Sequence, residues 1–413
     1  MTDQADIASS SQTDSRAAWL RLVVAVLLST LGGVGMWSFM VTLPAVQADF
    51  AVPRGDATLP YTLAMIGFAS GGVLMGRLAD RFGVAIPLML GTVLMVAGYF
   101  AVGLSGSLWQ VALAHGLLIG LGCSATFAPL MADTSHWFVR RRGIAIAIAA
   151  SGNYLAGTVW PPIVQHFIAT NGWRTTHTAI GIFLVVTMLP LIFLLRKRIV
   201  HHQSDASSAA LAKRQAESPF SPKTLQVLLM VAGVACCVAM SMPQVHIVAY
   251  CGDLGYGVAR GAEMLSVMLG FGIVSRVASG FIADRIGGVR TLLLGSVLQG
   301  TALFLYLWFD GLISLYLISA LFGLFQGGIV PSYAIIVREY FSPKDAGTRV
   351  GLVIMATLLG MALGGWMSGV IFDLTGSYQA AFLNGLGWNL LNVTIMAWLL
   401  MRSRRPPALV PAI

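Results

Sequence analysis

The chain has 413 residues, of which 57% are hydrophobic and only 10% are charged, with a formal net charge of +9. Soluble globular domains carry about 25% charged residues, so this composition excludes a soluble enzyme, a disordered tail and a fibrous repeat. A membrane-spanning helix needs about 20 apolar residues, and the length therefore suits one polytopic membrane domain. The four cysteines show no disulfide framework and no metal-binding spacing.

Apolar runs, separated by charged or turn residues, predict an all-α integral membrane protein with twelve transmembrane helices. The first run is longer than the core of a signal peptide and lacks a convincing cleavage site, so we interpret it as a retained helix. The predicted spans lie near 18–46, 58–76, 85–104, 108–133, 143–168, 175–195, 224–249, 261–282, 291–309, 311–337, 350–372 and 380–401.

The basic residues predict the orientation of these helices. With the amino terminus in the cytoplasm, all but four of the 25 Lys and Arg residues fall in inner loops, tails or the central segment. Arg54, Arg174 and Arg260 fall outside, and Arg276 lies within a span. The positive-inside rule is thereby satisfied, so the charge does not indicate nucleic-acid binding. We expect a multi-pass protein of a bacterial inner membrane with both termini cytoplasmic.

A long polar stretch, Arg196 to Lys223, lies almost at the midpoint of the chain. Its Ser/Ala-rich middle is typical of a linker. We therefore predict an N-terminal six-helix half at 1–195, a cytoplasmic linker at 196–223 and a C-terminal six-helix half at 224–413.

The two halves share a loop motif. Gly76-Arg-Leu-Ala-Asp80-Arg81-Phe-Gly83 recurs 204 residues later as Gly280-Phe-Ile-Ala-Asp284-Arg285-Ile-Gly287, in each case between the second and third spans of its half. A parallel duplication of this kind is one transporter architecture, in which the substrate site lies between the halves near the bilayer midplane.

These loops resemble the signature of the major facilitator superfamily, and the similarity covers essentially the whole chain. The resemblance implies the major facilitator fold, with a gating latch at the inner helix ends formed by Asp80, Arg81, Asp284 and Arg285. A carboxylate near a helix amino terminus contributes about 0.3 to 1 kcal/mol. The first copy has Val84 and Ala85 where a basic pair is expected, which predicts a weaker latch. The alternative is that these charges act only as topology signals.

A more local resemblance is to the bacterial branch of the monocarboxylate and oxalate/formate transporter group. It implies alternating-access transport of a small monocarboxylate anion, coupled to protons. The matching stretches are Met242-Pro-Gln-Val-His246-Ile-Val-Ala-Tyr250 with Asp253-Leu-Gly255, Ser275-Arg276, Gly327-Gly-Ile-Val-Pro331-Ser-Tyr333 with Glu339-Tyr-Phe341, and Phe372-Asp373-Leu-Thr-Gly-Ser-Tyr378-Gln-Ala-Ala-Phe382.

Arg276 is the strongest candidate for binding substrate. Helical rise places it about 12 Å from Asp284 and about 20 Å from Glu263, near mid-membrane. An arginine there costs about 2.5 to 3.5 kcal/mol on insertion scales, so it should face a wet cavity or a partner. No acidic residue lies well inside a span, which leaves the guanidinium to pair bidentately with a carboxylate. The resemblance implies the same role. The alternative is a structural tie to backbone carbonyls and tyrosines.

Two departures from the animal members of that group affect proton coupling. An aspartate stands one turn before the arginine in those members, whereas this chain has Gly272, and Trp37 aligns with their first-helix lysine. A histidine titrates most easily near neutral pH. We select His246, with His115, His166 and His177 as alternatives, and packing remains the competing interpretation for each.

Polar and aromatic residues within spans tend to face the bundle interior, because hydrocarbon offers their donors no partner. We expect Tyr333 to donate to a carboxylate beside Arg276 and Trp37 to supply an apolar wall. Interhelical hydrogen bonding is the alternative for the other candidate lining residues, which are Asn153, Tyr154 and Gln326.

The sequence thus predicts a secondary transporter that works as a monomer in membrane lipid, carrying a small organic anion with protons. It shows no phosphate loop, catalytic triad or metal-ligand spacing, and we expect no enzyme activity and no cofactor. Two alternatives stay open, which are a proton-driven exporter of amphipathic organic compounds and a non-transporting membrane sensor.

Overall fold

The computed structural model describes residues 13–138, 140–196, 221–341 and 343–403. Most of the predicted linker, 197–220, lies outside the described residues, so the predicted domain boundaries stay a prediction. The described chain forms twelve long helices, and eleven of them are long and apolar enough to cross a membrane. They are α1 Arg16–Phe50, α2 Arg54–Phe82, α3 Ala85–Gly103, α4 Leu108–Trp137, α5 Arg142–Asn171, α6 Trp173–Phe193, α7 Pro222–Asp253, α8 Val258–Ile286, α9 Gly288–Trp308, α10 Leu312–Tyr340, α11 Pro343–Thr375 and α12 Tyr378–Ser403. The predicted all-α fold is confirmed.

Several helices are interrupted near their middles. Between its two segments, α1 turns at Gly33, and α10 is interrupted at Gly327 and Gly328. In α4 a π-helical turn, Ala114–Gly120, is followed by a short 3₁₀ turn, Ser124–Thr126. Breaks of this kind free backbone carbonyls at membrane depth, where another donor has to bind them.

Prolines leave two backbone carbonyls beside α8 without their usual helical donor. Pro331 has no N–H to donate to Gly327, four residues earlier, and Pro162 has none to donate to Thr158. Side chains from α8 donate to both carbonyls, namely Arg276 to Gly327 and Ser266 to Thr158. The proline positions therefore create the acceptors that hold α8.

The most extensive packing between the first six helices and the last six is that of α2 on α11 and of α5 on α8, and α1 also contacts α7. We call the helix ends that carry Asp80 and Asp284 the inner ends, and the opposite ends, with Arg54 and Asp373, the outer ends. Assigning the inner ends to the cytoplasm remains the prediction from charge.

The outer ends of the two halves are in close contact. A Cβ built at Gly369 would lie 3.0 Å from the Arg54 carbonyl oxygen, and one at Gly365 would lie 2.8 Å from the Tyr61 ring. Near the inner ends, a Cβ at Gly76 or Gly280 would meet nothing within 4 Å. The two halves are therefore packed tightly at their outer ends, whereas the space around these two inner glycines is open.

Candidate functional site

Arg276 lies in the α5–α8 seam and is 9% exposed. Its Nη1 donates to the Ala150 carbonyl at 3.0 Å, and its Nε donates to the Gly327 carbonyl at 3.4 Å. The centroid of the Tyr154 ring is 4.2 Å from its guanidinium carbon. Of the five guanidinium N–H donors, three make no hydrogen bond to any described residue. The site thus combines a buried cation with unused donors.

Tyr154 contacts this arginine, and Trp37 is joined to Asn153, the residue before Tyr154 on α5. Trp37 Nε1 donates to the Asn153 carbonyl at 3.0 Å, and the Asn153 side chain contacts Met36 Sδ at 3.9 Å. The absence of a side chain at Gly157 lets the Trp37 ring pack on α5, because a Cβ there would lie 2.9 Å from the ring. The structure therefore brings four of the predicted substrate residues into one region.

Gln326 is the residue before the Gly327 acceptor and is fully buried. Its Oε1 accepts from Gln244 Nε2 of α7 at 2.8 Å. Gln326 Nε2 and Gln244 Oε1 are buried without a partner among the described residues. We did not select Gln244 from the sequence, although it lies within one of the matching stretches. The pair presents one unused donor and one unused acceptor.

Tyr333 is also fully buried, but it faces the interior of the second half. Its hydroxyl donates to Asn392 Oδ1 at 3.0 Å, and Asn392 Nδ2 donates to Ser296 Oγ at 2.7 Å. The contacts of the described residues do not join Tyr333 to Arg276. In this state the hydroxyl is used within the half that carries it, and its predicted contact with substrate stays a prediction.

His246 lies near the outer end of α7, close to the aromatic ring of Tyr378. Its Nε2 is 2.9 Å from the Gly365 carbonyl, its Nδ1 is buried without a partner in the described part of the chain, and its ring centroid is 6.0 Å from that of Tyr378. A carbonyl only accepts, so Nε2 carries the proton and Nδ1 is the free acceptor.

A polar cluster, the outer lock, joins the halves above this level. Arg54 of α2 donates from its guanidinium to Asp253 of α7 and to the hydroxyl of Tyr378. Asp373 of α11 accepts the backbone N–H groups of Arg54 and Gly55 at 2.8 and 2.6 Å. Sequence reasoning missed this cluster. Its signal was the presence of an arginine at an outer end that is otherwise poor in basic residues.

The inner loop residues Asp80, Arg81, Asp284 and Arg285 are all exposed. The Arg81 guanidinium lies 5.1 Å from the Phe82 ring centroid. Near the second loop, Glu339 of α10 accepts the Gly288 N–H at 3.0 Å and so caps α9. We expect these residues to form the latch in the state in which the inner ends of the two halves meet, and the latch stays a prediction.

Most of the chain matches a family of known proteins. The model of the Major Facilitator Superfamily matches residues 25–319 and 278–412. The chain belongs to this superfamily. Among superfamily relatives, monocarboxylate transporter 13 from Bos taurus is 28% identical over 379 residues, which is 90% of this chain and 86% of that protein. An agnestins efflux protein from Paecilomyces divaricatus is 24% identical over 325 residues, 78% of this chain and 73% of that protein.

The solved structures show the same major facilitator fold. The structure of a mutant of the nucleoside transporter NupG superposes with a TM-score of 0.72 at 15% identity, covering 92% of this chain and 99% of that one. This chain is accordingly a multi-pass membrane transporter, and the predicted resemblance to the superfamily is confirmed.

Proposed function

We propose that this chain is a secondary active transporter of small monocarboxylate anions that binds the carboxylate at Arg276. The observation that carries the proposal is a buried guanidinium between the two halves with three unused donors. A guanidinium fork matches a carboxylate bidentately, and such charge-assisted hydrogen bonds are about twice as strong as neutral ones. Trp37 and Tyr154 supply apolar walls for a short carbon chain.

The charge of the site favours a monoanion. Among the described residues, Arg276 is the one Lys or Arg in the middle of a span, and no described acidic side chain pairs with it. One fixed cation balances one carboxylate, whereas the second carboxylate of a dianion would lack a partner in a medium where unpaired charge is costly. Formate, lactate and pyruvate therefore fit the site better than oxalate.

Transport follows from alternating access around this site. The outer lock closes the outer route, which supports an assignment of this structure to a state that opens toward the inner side. Rocking of the halves would break the outer lock and bring the inner loops together, where Asp80, Arg81, Asp284 and Arg285 form the latch. The positive-inside pattern supports an inner-membrane location with both termini cytoplasmic.

Proton coupling is assigned to His246. No carboxyl side chain contacts Arg276 in the described chain, so the proton needs another carrier or moves with the substrate acid. His246 Nδ1 is an unused acceptor next to Gly365 and Tyr378, at the level where the outer lock closes the pathway. A proton taken up there from the outer side would enter with the anion.

The test is uptake in proteoliposomes of labelled lactate, pyruvate, formate and oxalate, with and without an inward proton gradient. We expect gradient-stimulated uptake of at least one monocarboxylate, and its loss in Arg276→Ala. The matched control is Arg260→Ala, because Arg260 lies on the same helix, pairs with Glu263 three residues away and is exposed. Equal uptake by Arg276→Ala and wild type would exclude Arg276 as the anion site.

The second candidate is a proton-driven exporter of amphipathic organic compounds, which the efflux-protein relative supports. An exporter predicts that none of the four acids is taken up by a folded protein and that export of an amphipathic dye survives loss of Arg276. The same proteoliposomes, loaded with dye, distinguish the two functions.

A further inference from the structure

Gly272 and Arg276 lie one turn apart on α8. Residues four apart are neighbours on a helix surface, and the ring of Tyr154, from α5 in the other half, contacts both. Its centroid is 4.2 Å from the Arg276 guanidinium carbon. A Cβ built at Gly272 would lie 2.5 Å from Tyr154 Cδ1, closer than real atoms approach. The ring therefore occupies a slot that exists because residue 272 has no side chain.

We infer that Tyr154 positions the Arg276 guanidinium for the anion. The missing side chain at Gly272 leaves the space that the Tyr154 ring needs to contact the guanidinium. This inference rests on the proposed role of Arg276. An aromatic face within about 6 Å attracts a guanidinium, most strongly where water is excluded. The ring is a third restraint beside the two backbone carbonyls, from α5 and α10, that accept from Arg276. A guanidinium held in advance loses less freedom when a carboxylate binds.

The ring also preserves the charge of the site. A carboxylate placed against Arg276 would neutralise it and compete with the substrate for the same N–H donors. The face of Tyr154 holds the cation and occupies none of those donors. The site therefore keeps a full positive charge for the incoming anion.

The restraint crosses between the halves. Tyr154 belongs to α5 and Arg276 to α8, and the seam is held further out by the hydrogen bond from the Ser266 hydroxyl to the Thr158 carbonyl. The arginine is thus positioned for the anion only while α5 and α8 stay in contact. Loosening this seam during rocking would free the guanidinium and weaken its hold on the anion.

The first test measures the reaction of Arg276 with phenylglyoxal in detergent, followed by peptide mass spectrometry. We expect Gly272→Ala and Tyr154→Leu each to speed modification of Arg276 by about tenfold, and Tyr154→Phe to keep it shielded, since the ring face remains. Gly270→Ala is the matched control, because its Cβ would lie 3.5 Å from Thr158 Cγ2, an ordinary contact. The double variant should react no faster than Tyr154→Leu, because both changes act through the ring.

The inference is overturned if Gly272→Ala and Gly270→Ala react alike, or if Tyr154→Leu stays as slow as wild type. Should Gly272→Ala fail to give a monodisperse protein, the comparison of Tyr154→Leu with Tyr154→Phe decides alone. This reaction needs no transported acid, so its result stands even if the proposed function fails.

The second test measures uptake of the best acid of the panel. A positioning role predicts that Tyr154→Leu and Gly272→Ala raise KM by about tenfold with the maximal rate within about twofold of wild type. A merely structural role would instead lower the amount of active carrier at unchanged KM, and that result would contradict the inference. Absence of uptake by wild type counts against the proposed function and leaves the modification result to decide the inference.

Discussion

Removing the Arg54 side chain should shift the protein from its outer-closed state toward an outer-open one. The side chain of Arg54 is 8% exposed, and it donates from the first half to Asp253 and Tyr378 of the second half. Its guanidinium also lies 4.4 Å from the Phe372 ring centroid. Arg54→Ala removes all three contacts. It leaves the backbone donors to Asp373 in place, since those belong to the main chain.

The size of this shift follows from the exposure of the partners. A hydrogen bond to a charged group contributes about 1.5 to 3 kcal/mol, whereas exposed ion pairs contribute about 0 to 1 kcal/mol. Asp253 is 39% exposed, so its pair with buried Arg54 belongs between these limits. We expect a loss of about 1 to 2 kcal/mol, which changes the ratio of the two states about fivefold to thirtyfold.

The assay uses a cysteine that a maleimide can reach only when the outer ends of the two halves separate. Ala362 of α11 is 3% exposed, and its carbonyl accepts from Thr62 of α2 at 3.4 Å. With the four native cysteines replaced by alanine, Ala362→Cys should react slowly with an impermeant maleimide added outside. Arg54→Ala should speed that reaction about fivefold or more. Arg260→Ala should not, because its ion pair lies within one helix.

Equal labelling rates for Arg54→Ala, Arg260→Ala and the parent would contradict this prediction. That result would mean that the Arg54 contacts of the outer lock do not stabilise the outer-closed state and that other contacts hold the outer ends together.

Three further substitutions test the helix packing at Gly323, the cap of α9 and the proton carrier. Gly323→Ala should cost about 1 to 3 kcal/mol of stability, because its Cβ would lie 2.7 Å from the Met268 carbonyl carbon; Gly280→Ala, with open space around it, should leave the melting temperature in detergent unchanged. Glu339→Gln should lower stability by about 0.3 to 1 kcal/mol, because the charged cap of α9 is lost. The same melting curves measure this loss, and an unchanged melting temperature would mean that the charge of the cap does not stabilise the protein. His246→Gln should still take up the acid without a gradient, but an inward proton gradient should no longer stimulate that uptake. Retained stimulation would mean that another group carries the coupled proton.

Hydropathy and the duplicated loops were sufficient to predict the fold. Twenty-residue apolar runs in water-free surroundings can only be helices, because every backbone group must be satisfied within the segment. The break of α10 at Gly327 was also readable in principle, since Pro331 four residues later cannot donate to it. That relation explains why Arg276 finds a carbonyl at this level.

The partners of polar residues were harder to predict than their burial. A tyrosine or glutamine within a span is expected to face the interior, but the sequence does not say which helix it meets. Tyr333 meets Asn392 and Gln326 meets Gln244, and neither pairing has a signal in spacing. The outer lock was missed for the same reason, because Arg54 meets Asp253, 199 residues away, only when the halves close on that side.

Whether Arg276 binds a negative charge is decided by comparing an acid with its neutral amide. In wild-type proteoliposomes, uptake of the best labelled acid of the panel should be inhibited by the unlabelled acid and not by the corresponding amide, such as lactamide for lactate. The amide keeps the shape of the acid and lacks the negative charge that Arg276 is proposed to bind. Equal inhibition by the two compounds would contradict a site built around one fixed cation.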